Sequence, residues 1–202
     1  MTTPNDNWTM FSTSKREIKE LLVPMGEVAI DNDFLKIEKY LFEPSIAFRQ
    51  NIFHSEQIDD IDFNSRPPTI RVKDELVFLS AEKKPELESF AQRNNIKTVK
   101  RPWIWEWILE PFLDTEITKA TDYRLTLLLE NVGLTADQVK SLRMEVKTQM
   151  LKYNFDTMLW DWCSLGACDV LKAMRTKYDK NEFADFYKRV MAIALLPVKI
   201  SE

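Results

Sequence analysis

The chain's single histidine, His54, is followed closely by Glu56 and Asp59. An imidazole oriented by a carboxylate is the usual general base near neutral pH. A Ser–His–acid triad would have to use it, yet no G-x-S-x-G elbow supplies a nucleophile. His54 therefore reads as a solvent-facing residue at a strand end. Cys163 and Cys168 lie about 140° apart around a helix, so they neither bridge nor share a metal. Cys163 falls on the apolar side and reads as core. Cys168 falls on the polar side beside Lys172, whose ammonium would favour a thiolate. Asp60 and Asp62 alternate with Ile61 and Phe63, the pattern of a half-solvated strand. The EF-hand's glycine and terminal glutamate are missing there. Glu106 and Glu110 share one helix face between tryptophans, as some acid–base pairs do. Pro111 and the lack of a Glu-x-x-His partner argue against a di-metal centre, and a solvated or ion-paired face is the simpler reading. With glycine only at 26, 133 and 166, no phosphate-cradling G-x-G-x-x-G loop can be written. No cofactor or metal site is expected.

The most unusual stretch is Arg101-Pro102-Trp103-Ile104-Trp105-Glu106-Trp107-Ile108-Leu109-Glu110-Pro111-Phe112-Leu113. On a helix its three tryptophans point in three directions, which makes the segment apolar nearly all round and buried on several sides. It falls between a β-rich and a helical part, so the expectation is that these rings cement the two parts. The alternative is an aromatic-lined groove for a partner or an apolar ligand. Trp160 and Trp162, bracketing Asp161, would line the same region.

The elements that must position these residues follow from capping and periodicity. Ser14-Lys15-Arg16-Glu17 is a capping box opening a short helix that Pro24 and Gly26 end. From Gly26 to Ser80, short β-branched and aromatic runs separated by turn formers predict about five antiparallel strands. They fall at 34–40, 46–53, 57–63, 69–72 and 76–79. From Lys83 the period is helical. Pro85 opens a helix ended by Asn94-Asn95, and Pro102 opens the tryptophan segment. Asp114-Thr115 caps a helix closed at Gly133, and Thr135 with Gln138 forms a second capping box. That box leads into the stripe Val139, Leu142, Val146, Met150 and Tyr153. Asn154 or Asp156 caps a helix reaching Arg175, and Asp179 to Asn181 opens the last.

The chain has 202 residues, 45% of them hydrophobic, enough for a sizeable core. Its formal charge is −4, which argues against nucleic acid, whose phosphates require clustered surplus cations. Residues 1–84 hold 11 basic and 15 acidic side chains, so the β-rich part carries the whole net charge. The longest uncharged apolar run, 190–198, is far short of the ~20 residues of a membrane-spanning helix. The first residues show neither a basic nor an apolar leader region, the expectation for a cytoplasmic protein.

Strands in an antiparallel meander followed by Leu76-Val77-Phe78-Leu79 and Glu86-Leu87-Glu88-Ser89-Phe90-Ala91 resemble the closing strand and helix of the pleckstrin-homology-like module. Ser55-Glu56-Gln57-Ile58-Asp59-Asp60-Ile61-Asp62-Phe63 resembles one of its inner strands. The resemblance covers residues 26–95, with about five strands where the module has seven. It implies a binding scaffold for lipid headgroups, peptides or proteins. Acids outnumber Lys36, Lys39, Arg49, Arg66, Arg71 and Lys73 in that part, which argues against membrane lipid.

The expected fold is α+β: a helical leader (1–25), a β-rich pleckstrin-homology-like part (26–96) and a helical bundle packed against it (97–202). The expected function is a non-enzymatic interaction or regulatory protein with a protein or peptide partner, or with a second copy of itself. Its contact surface would be the tryptophan segment, the acidic β-rich part or both. The alternative is a small-molecule-binding protein or hydrolase using Glu106 or Glu110, with Asp161, in a cleft between the halves.

Overall fold

Ser14 sits in extended backbone and its hydroxyl accepts the Glu17 N–H at 3.2 Å, starting the first helix where its capping box predicts. In the computed structural model, which describes residues 11–113, 118–157 and 164–199, the elements run as follows. Helix α1 (Lys15–Leu21) precedes strands β1 (Glu27–Ile30) and β2 (Phe34–Glu38), the single turn α2 (Ile46–Arg49) and strand β3 (Ile52–His54). Strands β4 (Asp60–Asp62), β5 (Thr69–Val72) and β6 (Glu75–Phe78) lead to helices α3 (Lys84–Arg93) and α4 (Ile104–Leu109). Helices α5 (Lys119–Asn131), α6 (Ala136–Leu151), α7 (Ala167–Arg175) and α8 (Lys180–Ala194) complete the order. The fold is α+β, and the strands form two three-stranded antiparallel meanders, β1-β2-β3 and β4-β5-β6.

Two compact units are assembled from non-consecutive segments: Pro24–Trp103 with Lys180–Pro197, and Ile104–Asp179 with the residues up to Val23 and from Val198 on. The sequence division at 25/26 and 96/97 follows chain order, and the units do not. In the sheet unit, α8 joins the strands. The Tyr187 hydroxyl donates to Glu75 at 2.8 Å, the Leu76 N–H points at the Met191 sulfur at 3.4 Å, and Phe42 meets Phe183 and Tyr187 at about 6 Å. The expected C-terminal bundle therefore loses its last helix to the sheets. Leu35, Phe53, Ile61, Ile70, Val77 and Phe90 are fully buried around this core.

Two strand expectations are corrected. Residues 46–48 turn as α2, because Ser45 accepts the Ala47 N–H at 3.0 Å and the Glu75 carboxylate accepts the Ile46 N–H at 2.9 Å. These are helix-starting bonds, which a strand could not use. Asp60 and Asp62 do not face solvent; they are 4% and 0% exposed. Asp60 takes the Arg71 guanidinium at 2.7 Å and the Arg101 guanidinium beside it, while Asp62 accepts the Arg101 N–H at 2.8 Å. Ion pairing at Asp60, and backbone N–H groups of Asn64, Ser65 and Arg101 at Asp62, thus substitute for water along β4. The segment after α3 closes its edge: Ile61 donates to the Lys97 carbonyl and accepts from Val99, both at 2.9 Å. Side chains close β3 as well. Gln50 donates to the Ile52 carbonyl at 2.6 Å and Gln57 accepts the His54 N–H at 2.9 Å, which leaves that edge poorly suited to pairing.

In the helical unit α1 is held to the C-terminal helices by Lys152–Glu17 at 3.0 Å and Arg175–Glu20 at 3.2 Å. The stripe expected on α6 is its core face: Val146 and Met150 are fully buried, and Val139, Leu142 and Tyr153 nearly so. The helix expected to start at Asn154 or Asp156 does not start there. Both lie in a wide π-helical turn (Lys152–Asp156) that continues α6, and their side chains serve other segments. Asp156 accepts the Phe11 and Thr13 N–H groups at 2.9 and 3.2 Å, and Asn154 donates to the Phe112 carbonyl at 2.9 Å. Helix α7 instead starts after Gly166, whose N–H donates to Asp169 at 2.8 Å. The expected cap at Asp114-Thr115 and the core residue Cys163 lie outside the described residues.

Candidate functional site: a groove between α5 and α6

Helices α5 and α6 form a hairpin whose joint is set by local chemistry. At the end of α5, Gly133 has φ +88°, its N–H donates to Glu130 at 2.9 Å, and the Leu134 N–H reaches the Leu129 carbonyl at 3.0 Å. This bond pair is the Schellman arrangement, and the apolar contact that accompanies it falls on Leu129 and Leu134, both buried. Thr135 then caps α6. Its hydroxyl accepts the Gln138 N–H at 3.2 Å and its own N–H donates to the Gln138 side chain at 2.8 Å. At the other end of the hairpin, Thr118 caps α5 by accepting the Thr121 N–H at 3.1 Å.

Between the two helices runs a groove of about 520 Å³. Asp122, Thr126, Leu129 and Glu130 line it from α5, spaced by one and two turns. From α6 come Val139, Lys140, Arg143, Met144, Lys147 and Leu151, with Pro111 and Phe112 from the turn after α4 and Leu134 from the hairpin joint. Phe112, Leu129, Leu134 and Val139 are buried and make an apolar floor. Met144 is 64% exposed on the rim, a large apolar side chain among cations. Arg143 is half-buried and fixed from behind: Nε donates to the Ile108 carbonyl at 2.9 Å and an Nη to the Trp107 carbonyl at 3.3 Å. It thereby caps the end of α4. Burial lowers the pKa of its guanidinium, and nearby Asp122 works against that shift.

The sequence-predicted residues do not gather at this groove. Trp103 precedes α4 and belongs to the sheet unit, 36% exposed under the Arg66 guanidinium at 5.5 Å. Trp105 is buried in the helical unit and Trp107 is half-buried there. The segment is thus not a single helix carrying three rings, because α4 begins only at Ile104. Glu106 lies on α4 and Glu110 in the following 3-10 turn, both half-buried, and neither lines the groove. Trp160, Asp161 and Trp162 lie outside the described residues. His54 is exposed at the end of β3. Cys168 is corrected: it is 3% exposed rather than on a polar face, and burial, reinforced by Asp169, pushes its thiol up and away from thiolate. Cys168 keeps Lys172 and Arg175 on its side of α7, but that side is covered rather than solvated: both are half-buried, and Arg175 is paired with Glu20 at 3.2 Å. Among the described residues, no three His, Cys, Asp or Glu side chains gather as a metal would require, and no helix is long and apolar enough to cross a membrane.

No protein-family model, curated protein or solved structure matches this chain.

The groove escaped the sequence reading because its α6 wall looks like an ordinary solvated face. The visible signal was Met144, apolar at a position flanked at helical spacing by Lys140 and Lys147 and preceded directly by Arg143.

Proposed function

We propose that this protein is a non-enzymatic interaction protein that receives a helical segment of a protein partner in the α5–α6 groove. The observation that carries the reading is the groove itself, an apolar floor of Phe112, Leu129, Leu134 and Val139 between charged walls. A third helix laid in such a trough buries its apolar face and keeps its polar flanks at the rims, the helix-in-groove mode of peptide recognition. The resemblance of residues 26–95 to the pleckstrin-homology-like module belongs to the same reading. Two antiparallel meanders followed directly by α3 support it, and the sheet unit then acts as scaffold in a cytoplasmic regulatory protein.

A random library of displayed peptides, panned on the wild type and on Thr126→Trp, tests this. Thr126 lines the α5 wall, so an indole there fills the groove. The reading expects selected peptides that bind the wild type and lose about tenfold or more in affinity on Thr126→Trp. Selected peptides that are all indifferent to Thr126→Trp overturn it. The volume also suits a small apolar ligand, since such clefts run ~300–1,000 Å³. That second reading expects an anilinonaphthalene dye to brighten on the wild type and not on Thr126→Trp, with no groove-dependent peptide selected.

A further inference from the structure

We infer that the partner helix carries a row of carboxylates on the flank that meets α6 and cations on the flank that meets α5. The inference rests on the groove reading above and specifies the chemistry of its occupant.

Lys140, Arg143 and Lys147 stand three and four residues apart on the groove wall of α6, one charge per turn. None of them takes part in an ion pair among the described residues. Five residues beyond Lys147, Lys152 lies outside the groove and has Glu17 at 3.0 Å, whereas the three cations on the groove wall have no acid within ion-pair distance among the described residues. Asp122 and Glu130 on the α5 wall are likewise without an ion pair among the described residues, and they lie two turns apart. The groove therefore presents two charge rows of opposite sign, one along each rim.

The spacing selects the occupant. Lys140 and Lys147 are ~10.5 Å apart along their axis, and Asp122 and Glu130 ~12 Å. A helix laid alongside repeats its own side chains at the same intervals, so acids at i, i+3 or i+4, and i+7 face the α6 row in register. Arg143 adds direction, because its guanidinium is already anchored to the Trp107 and Ile108 carbonyls and loses little freedom when a carboxylate arrives. A polyphosphate chain is disfavoured by Asp122 and Glu130, which would repel it across the groove. The occupant is thus an amphipathic helix with one acidic and one basic flank, and the opposed rows also fix which way round it lies.

Parallel panning of the random peptide library on the wild type, the double variant Lys140→Glu/Lys147→Glu and Thr126→Trp tests this. Both lysines are exposed, and circular dichroism with thermal melting verifies that the double variant folds. The expected wild-type pool is helical, sensitive to Thr126→Trp, and enriched in Asp or Glu at two positions seven apart. The double variant selects Lys or Arg at those positions, and a synthetic peptide from the wild-type pool binds it about tenfold weaker or worse. Pools from both proteins that depend on the groove but share one composition overturn the charge inference and leave the groove reading standing. Pools with no dependence on Thr126→Trp overturn the groove reading, and the inference with it.

Discussion

The Leu134 N–H closes on the Leu129 carbonyl at 3.0 Å, and those two side chains then form part of the groove floor that the closure makes possible. The residue between the helices, Gly133, is what permits it. With φ +88° it occupies backbone space that L side chains rarely adopt, and an added Cβ would meet only Lys199 at 3.4 Å. The requirement is therefore conformational rather than spatial. Gly133→Ala should destabilise the protein by about 1–2 kcal/mol in urea unfolding, and Gly133→Asn by less, because Asn tolerates this region better. Equal losses for the two would mean the joint does not depend on left-handed backbone.

The buried charge system of β4 makes a second expectation. Asp60 receives Arg71 and Arg101, and truncating it takes the carboxylate from the largely buried Arg101 and leaves Arg71 with Asp59 alone, at 3.4 Å. Asp60→Ala should cost about 3 kcal/mol, well beyond an exposed acid such as Asp185 (81% exposed side chain), whose alanine variant should fall within about 0.5 kcal/mol. Chemical denaturation of the two variants side by side decides it.

Asp169 gives a pH dependence. Burial raises its carboxyl above the ordinary 3.8, against the opposing pull of the Gly166 N–H and the Tyr153 hydroxyl. Between 3.8 and the raised folded value, the folded protein keeps a proton that the unfolded chain has released. The group's contribution to stability is therefore fully present below the ordinary value and is lost as pH rises through the folded one. Asp169→Asn can still accept the Gly166 N–H and does not titrate. The stability of the wild type minus that of Asp169→Asn should fall as pH is raised from about 4, and a flat difference would remove the assignment.

Cys168 should be silent toward a thiol reagent. Its side chain is buried and its thiol is held away from ionisation, so in a Cys163→Ser background Ellman's reagent should detect almost no thiol until denaturant is added. Prompt native-state labelling would contradict the placement of α7.

Local chemistry was legible in the sequence wherever a residue and its partner lie within one turn. Ser14 with Glu17, Thr135 with Gln138 and Gly133 at the end of α5 act as their types predict, because the partners are three residues away or fewer. Asp60 was misread because its counter-charges come from 11 and 41 residues away, and alternation alone describes a strand that has only water to face. Asn154 and Asp156 looked like caps and became ties to Phe112 and to residues 11–13, again over long separations. The tryptophans drew attention by composition. The groove depends instead on where the α5–α6 hairpin sets two unremarkable faces, and only Met144 betrayed it.

The most direct measurement is a titration of methyl-labelled methionine with the tightest panned peptide, followed by NMR. Among the chain's eight methionines, Met144 is exposed on the groove rim, while Met174 and Met191 are buried, Met191 in the sheet unit. The predicted result is a saturable shift of the Met144 methyl with Met174 and Met191 unmoved. A Met144 signal that stays in place while Met191 shifts would contradict the account, since the partner would then be docking elsewhere.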